Sequence, residues 1–116
     1  MRGGTTKQST NKTMKSGFIY IMTNENNTTL YVGVKSNLPQ RILEHKESRY
    51  QNSFTSRYKL YKLVYWEGFQ EIGDAIYREK QIKAGSRAKK ESLINSINPE
   101  WNDLYEEIKG IMELGY

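Results

Sequence analysis

The fold is decided by Phe18-Ile19-Tyr20-Ile21-Met22, the polar link Thr23-Asn24-Glu25-Asn26-Asn27-Thr28, and Thr29-Leu30-Tyr31-Val32-Gly33-Val34. Two β-branched and aromatic runs flank an Asn-rich turn, which is the signature of a hairpin. Both runs are apolar on both parities, so the sheet they form is expected to be covered on two faces.

Working outward, Asn37-Leu38-Pro39 opens a helix, with proline suited to its first turn. Tyr61 to Phe69 reads as a third strand. Ile72 to Ala84 follows as a helix that Gly85 can end, and Ser86 caps another that runs to about Ile97. Asn98-Pro99 is expected to open a last helix, because Trp101, Leu104, Tyr105 and Ile108 recur at i, i+3, i+4 and i+7. The element order is β-β-α-β-α-α-α, an α/β (α+β) chain without internal repeats. Residues 1–16 carry almost nothing apolar and are expected to be a disordered tail. The domain then spans 17–109, with 110–116 as a C-terminal tail.

Composition narrows the chemistry. At 116 residues there is room for one core. With no cysteine and a single histidine, His45, the chain has neither a disulfide framework nor a zinc ribbon, and an intracellular, cytoplasmic setting is expected. No run of about 18 apolar residues occurs, nor any apolar stretch near the start that would suit a signal peptide. The net charge of +5 is unevenly spread: +3 over residues 1–34, +7 over 35–90 and −5 over 91–116. A cationic middle segment suits a polyanionic partner, since neutralised phosphates release counterions.

Polar residues fall on apolar helix faces. At 100° per residue, Ile72, Ala75 and Ile76 lie at about 0°, 300° and 40°, with Glu79 at about 340°, inside their stripe. On the earlier helix Leu38, Ile42, Arg41 and His45 fall at about 0°, 40°, 300° and 340°. Charges aimed at protein cost several kcal/mol unless they are paired or bound. One resolution is structural, an Arg41–Glu79 ion pair with His45 a hydrogen-bonded core residue. The other is a polar cleft beside the sheet, shared by both helices. Arg offers a planar fork for phosphate oxygens, and a lone Glu offers a hard ligand to Mg²⁺. Together these are components of phosphodiester hydrolysis by one metal ion. A glycosidase would need an opposed second carboxylate, and no phosphate-cradling GxxxxGK[ST] loop is present.

Tyr20 in Phe18-Ile19-Tyr20 precedes Tyr31 in Tyr31-Val32-Gly33 by eleven residues; Arg41 follows ten later, and Glu79 lies in AIYREKQIK. This ordered set resembles the GIY-YIG nuclease superfamily, most closely its small stand-alone members related to the catalytic domain of the excision-repair UvrC subunit. The resemblance covers about Gly17 to Ile108. It implies a central three-stranded antiparallel sheet flanked by helices and a metal-dependent endonuclease of the kind used in DNA repair or recombination. It also implies roles. Tyr20 would line the site, Tyr31 would take a proton from the attacking water, Arg41 would contact the scissile phosphate, His45 would stand near the nucleophile, and Glu79 would hold a single Mg²⁺ or Mn²⁺. Phe18 replaces the glycine of the first motif, Val32 the isoleucine of the second, and Val34 the lysine found in UvrC-type members, with Lys35 next in line. Asn98 matches a family asparagine near the end of the domain, although helix capping also explains it.

Lys46, Arg49, Arg57, Lys59 and Lys62, interleaved with Tyr50, Phe54 and Tyr58, suit backbone contact plus stacking on unpaired bases, or else a polar loop. Lys80, Lys83, Arg87, Lys89 and Lys90 extend the basic track. Gly33, Lys35, Lys46, Arg57, Lys83 and Asn98 are therefore candidates for substrate contact. The expected partner is DNA, and because no zinc finger or helix-turn-helix is visible to read base sequence, cleavage with structural or weak sequence preference is expected. Rival readings are a non-catalytic nucleic-acid-binding module on the same fold, and a protein-interaction domain docking through the acidic C-terminal helix.

Overall fold

Strand β1 (Gly17–Thr23) pairs antiparallel with β2 (Leu30–Lys35) on one side and with β3 (Lys62–Phe69) on the other, giving the sheet order β2-β1-β3. This computed structural model describes residues 15–47 and 54–113. The expectation for residues 1–16 therefore lies outside the described residues, except for Lys15 and Ser16; the Lys15 carbonyl accepts from the Ile72 N–H at 2.7 Å. Arg49 and Tyr50 lie outside them as well.

The hairpin turn is held by Asn24, whose Oδ1 accepts from the N–H groups of Thr28 (2.8 Å) and Thr29 (3.2 Å). Asn27 adopts φ 58°, a left-handed conformation that asparagine tolerates. The helices are α1 (Leu38–Lys46), the single turn α2 (Phe54–Arg57), α3 (Ile72–Ala84), α4 (Arg87–Ile97) and α5 (Tyr105–Glu113). Asn37 caps α1 by accepting from Gln40 N–H at 3.2 Å, with Pro39 in the first turn. Ser86 caps α4 in the same way through Lys89 N–H. The strand and helix order agrees with the sequence reading, and α2 is added to it.

Strand alternation sends side chains to two cores. Ile19, Ile21, Val32, Val64 and Tyr65 join Ala75 and Ile82 of α3 and Ile94 of α4 on one face. On the other, Tyr20, Met22 and Leu63 pack with Leu38 and Ile42 of α1, Leu60, and Ile108 of α5. Ile19, Ile21, Leu38 and Ile42 are wholly excluded from water, each contributing about 1.5–3 kcal/mol by burial. The expectation of a sheet covered on both faces is thus met.

Two expectations need correction. The last helix begins at Tyr105, not at Pro99, and Trp101 takes φ 57° within an irregular segment. Trp101 packs into the α3/α4 core, whereas Leu104, Tyr105 and Ile108 belong to the α1/α5 core, so the four do not form one stripe. The cause is tertiary: the segment wraps around the β3 edge from one face to the other. There Asn98 Nδ2 donates to the Val64 carbonyl (3.0 Å), Leu63 N–H donates to Asp103 Oδ1 (3.1 Å) and Leu104 N–H donates to the Leu63 carbonyl (2.7 Å). Backbone groups of the edge strand that a helix could not reach are satisfied in this way. A bulge in the β1–β3 pairing, between Ile21 and Met22, lies opposite Val64.

Candidate active site: a tyrosine face beside helix α1

Tyr20 stands at the middle of the central strand on the α1/α5 face, opposite Gly33 of β2 and Trp66 of β3. A Cβ at Gly33 would meet Cζ and Oη of Tyr20 at 2.5 Å, so glycine is what lets this phenol lie across β2. Tyr31 projects from the same face of β2 two residues earlier. Helix α1 brings His45 over both rings. The ring centres of Tyr20 and Tyr31 are 6.2 Å apart, and His45 is 6.1 Å from each. Tyr20 Oη and His45 Nε2 are 3.5 Å apart. Arg41, one turn before His45, is half-buried at the rim, and its Nε is 3.7 Å from Glu44. The helical stripe of Leu38, Arg41, Ile42 and His45 is therefore reproduced.

Electrostatics separates the titratable groups. Burial, with the neighbouring Arg41 charge second, lowers His45 to about 4, so its ring is neutral at pH 7. Burial also pushes the Tyr20 phenol well above its ordinary value, helped by Tyr31 and opposed by Arg41. Tyr20 is therefore a protonated donor. Tyr31 is only half-buried and has a route to water.

Glu79 is placed differently. It belongs to α3, whose Ala75 and Ile82 enter the opposite core, and its carboxylate pairs with Lys83 at 2.7 Å instead of with Arg41. The polar cleft expected between α1 and α3 is not a groove between two neighbouring helices, because the sheet lies between their cores. Ile76, expected in the buried stripe, is 39% exposed, whereas the Glu79 side chain is 13% exposed.

The remaining candidates are scattered. Lys35 ends β2 on the face of Tyr31 and Gly33, while Val34 turns into the α3/α4 core. Lys46 Nζ donates to the Tyr61 carbonyl (2.9 Å) and to Asp103 and lies 5.4 Å from the Tyr105 ring, tying α1 to α5. Arg57 is exposed at the end of α2, and Lys83 is exposed beside Glu79. Asn98 is buried, its amide engaged by the Val64 carbonyl, the Asn102 carbonyl (2.8 Å) and the Asn102 N–H (3.0 Å). Sequence reasoning missed Glu44 and Asp103. The i,i+3 spacing to Arg41 is the signal that finds Glu44; no local signal marks Asp103, which meets Lys46 and Leu63 only in the fold.

Residues 16–92 match the GIY-YIG catalytic domain. The chain belongs to the GIY-YIG family. The match includes Tyr20, Tyr31, Arg41, His45 and Glu79; Asn98 lies beyond it. This GIY-YIG chain is 36% identical over 87 residues to a UPF0213 protein of Syntrophus aciditrophicus (strain SB), covering 75% of this chain and 98% of that one. To a UPF0213 protein of Desulfotalea psychrophila it is 31% identical over 88 residues, covering 76% and 79%. It is also similar to the solution NMR structure of a UPF0213 protein from Bacillus halodurans, with 25% identity, a TM-score of 0.45, and coverage of 72% and 85%. A GIY-YIG catalytic domain is a nuclease domain, in general dependent on a divalent metal, and implies a nucleic-acid substrate. The UPF0213 names state no activity. No described helix is long and apolar enough to cross a membrane.

Among the described residues no cluster of three or more His, Cys, Asp or Glu side chains exists. Glu79, a single half-buried carboxylate, fits a hydrated Mg²⁺, which binds through one or two carboxylates plus substrate phosphate. It does not fit a dehydrated or two-metal site.

Proposed function

We propose that this chain is an intracellular, metal-dependent endonuclease that hydrolyses DNA phosphodiester bonds, with structural or weak sequence preference and with Tyr31 as general base. The observation that carries this reading is the convergence of Tyr20, Tyr31 and His45 at ring separations of about 6 Å on one face, with Arg41 at the rim. Tyr20, held protonated, can donate a hydrogen bond that orients its neighbours. Neutral His45 fixes the phenol geometry. Tyr31, with access to water, is assigned the proton of the nucleophile, which its oxygen takes up after the phenol has released its own proton to solvent. Arg41 supplies a guanidinium fork for the scissile phosphate, with the Glu44 carboxylate 3.7 Å from its Nε.

Glu79 would hold the metal ion. A divalent ion there would polarise the phosphate and neutralise charge on the leaving oxygen. Glu79 is carried by α3 and Arg41 by α1, which pack on opposite faces of the sheet, so a phosphate reaching both would have to pass around the sheet. The Glu79–Lys83 pair is an i,i+4 contact with Lys83 54% exposed; such pairs contribute about 0.3–0.5 kcal/mol and yield readily to a divalent ion. If the pair instead persists and no ion binds, the alternative holds, a non-catalytic nucleic-acid-binding module on the same fold.

Incubation with nicked, flapped, branched and single-stranded DNA in Mg²⁺, Mn²⁺ or EDTA separates the two readings. The nuclease reading requires cleavage that disappears in EDTA and in Glu79→Ala. Salt-sensitive binding without cleavage across the panel assigns the chain to the module.

A further inference from the structure

At the end of the sheet, the β1–β2 turn, the last turn of α1 and the segment between α2 and β3 enclose a cleft of about 500 Å³. Its lining differs from the tyrosine face. Tyr58 is 46% exposed, and Lys59 and Lys62 flank the same opening. Across from them Lys46 and Asp103 are bound to each other, so their charges largely cancel. Among the described residues of the cleft, two lysines then face Glu25, and the balance is cationic.

Lys59 breaks a local rule. Its φ is 58°, its N–H donates to the Ser56 carbonyl and its carbonyl accepts from the Tyr61 N–H, both at 3.1 Å, so it ends α2 in the left-handed conformation. Glycine fills such a position at less conformational cost. A lysine is strained there, at a point where its charge borders the cleft.

The cleft adjoins the candidate active site. Lys46 directly follows His45, and Tyr31 stands opposite Met22, two residues before the cleft residue Asn24, which is about 7 Å at strand rise. A nucleic-acid strand with a phosphate against Tyr31 would run on into the cleft.

We propose that this cleft seats an unpaired flank of the DNA substrate, with the Tyr58 ring as a stacking platform for a base and Lys59 and Lys62 as contacts to the adjoining phosphates. The proposal rests on the nuclease reading and names the substrate class, DNA with a single-stranded segment beside the scissile bond. Stacking tolerates any base, because each has a π-face. A blunt duplex offers no unstacked base to Tyr58.

Fluorescence anisotropy with the full chain in EDTA tests this without cleavage, using a labelled oligodeoxythymidylate and a blunt duplex annealed from two strands. Tyr58→Ala is expected to weaken binding of the single strand about tenfold, Tyr58→Phe to restore it, and the duplex affinity to stay within twofold. Lys59→Gly, which suits the backbone and so keeps the fold, is expected to make the salt dependence of single-strand binding shallower by about 0.7 in log–log slope. Equal losses for single strand and duplex in Tyr58→Ala, or no loss for either, would overturn the proposal. The nuclease reading fails separately: a chain that binds single strands through Tyr58 yet never cleaves keeps the cleft and loses the enzyme.

Discussion

Tyr20 and Gly33 are partners across the β1–β2 pairing, and the phenol occupies the space that any side chain at Gly33 would need. The contact links the two tyrosine motifs: the glycine of the second sets the orientation of the tyrosine in the first. Gly33→Ala must displace a 2%-exposed ring, and overpacking of this kind costs about 1–3 kcal/mol. We expect a lower thermal midpoint, together with altered near-ultraviolet circular dichroism from the moved tyrosine. A variant with wild-type stability and spectrum would show that the ring has room elsewhere.

Tyr31→Phe retains the aromatic shape and removes the proton acceptor. Cleavage under single-turnover conditions is expected to slow about 10²-fold or more, with DNA affinity nearly unchanged. If turnover is unaltered, another base operates, and His45 is the first to examine.

His45 makes stability depend on pH. Its folded value, about 4, lies below the unfolded 6.5, so the unfolded chain binds the proton more readily between these values. The contribution is fully present above pH 6.5 and is lost as pH falls toward 4, on the order of a few kcal/mol in all. Urea unfolding at pH 7 and pH 4.5 is expected to show this loss in the wild type and a smaller one in His45→Gln. Identical pH profiles for the two proteins would remove His45 as the cause.

Asn98 uses its whole side-chain amide inside the protein, on the Val64 and Asn102 backbone. Asn98→Ala leaves buried backbone groups without partners and is expected to cost about 2–4 kcal/mol in chemical denaturation. DNA binding measured well below the new midpoint should be retained. Loss of binding in a variant that remains folded would assign Asn98 to the substrate instead of the scaffold.

The hairpin, the Asn37 cap and the face shared by Leu38, Arg41, Ile42 and His45 were legible because each depends on residues within a few positions of one another, where turn chemistry and the 3.6-residue period act directly. The family was legible by resemblance, through the ordered set of Tyr20, Tyr31, Arg41, His45 and Glu79. The start of α5, the move of Trp101 to the other core and the structural use of Asn98 were not legible. They depend on hydrogen bonds between the 98–104 segment and Leu63 or Val64, across sequence separations of 34 and 40 residues in two of them. The helical period also put Glu79 on an inward face without saying which side of the sheet that face would meet. Only packing of α3 through Ala75 and Ile82 decided that, because a stripe on a helix defines a direction relative to its own axis, and the sheet it covers is chosen by where the chain crosses.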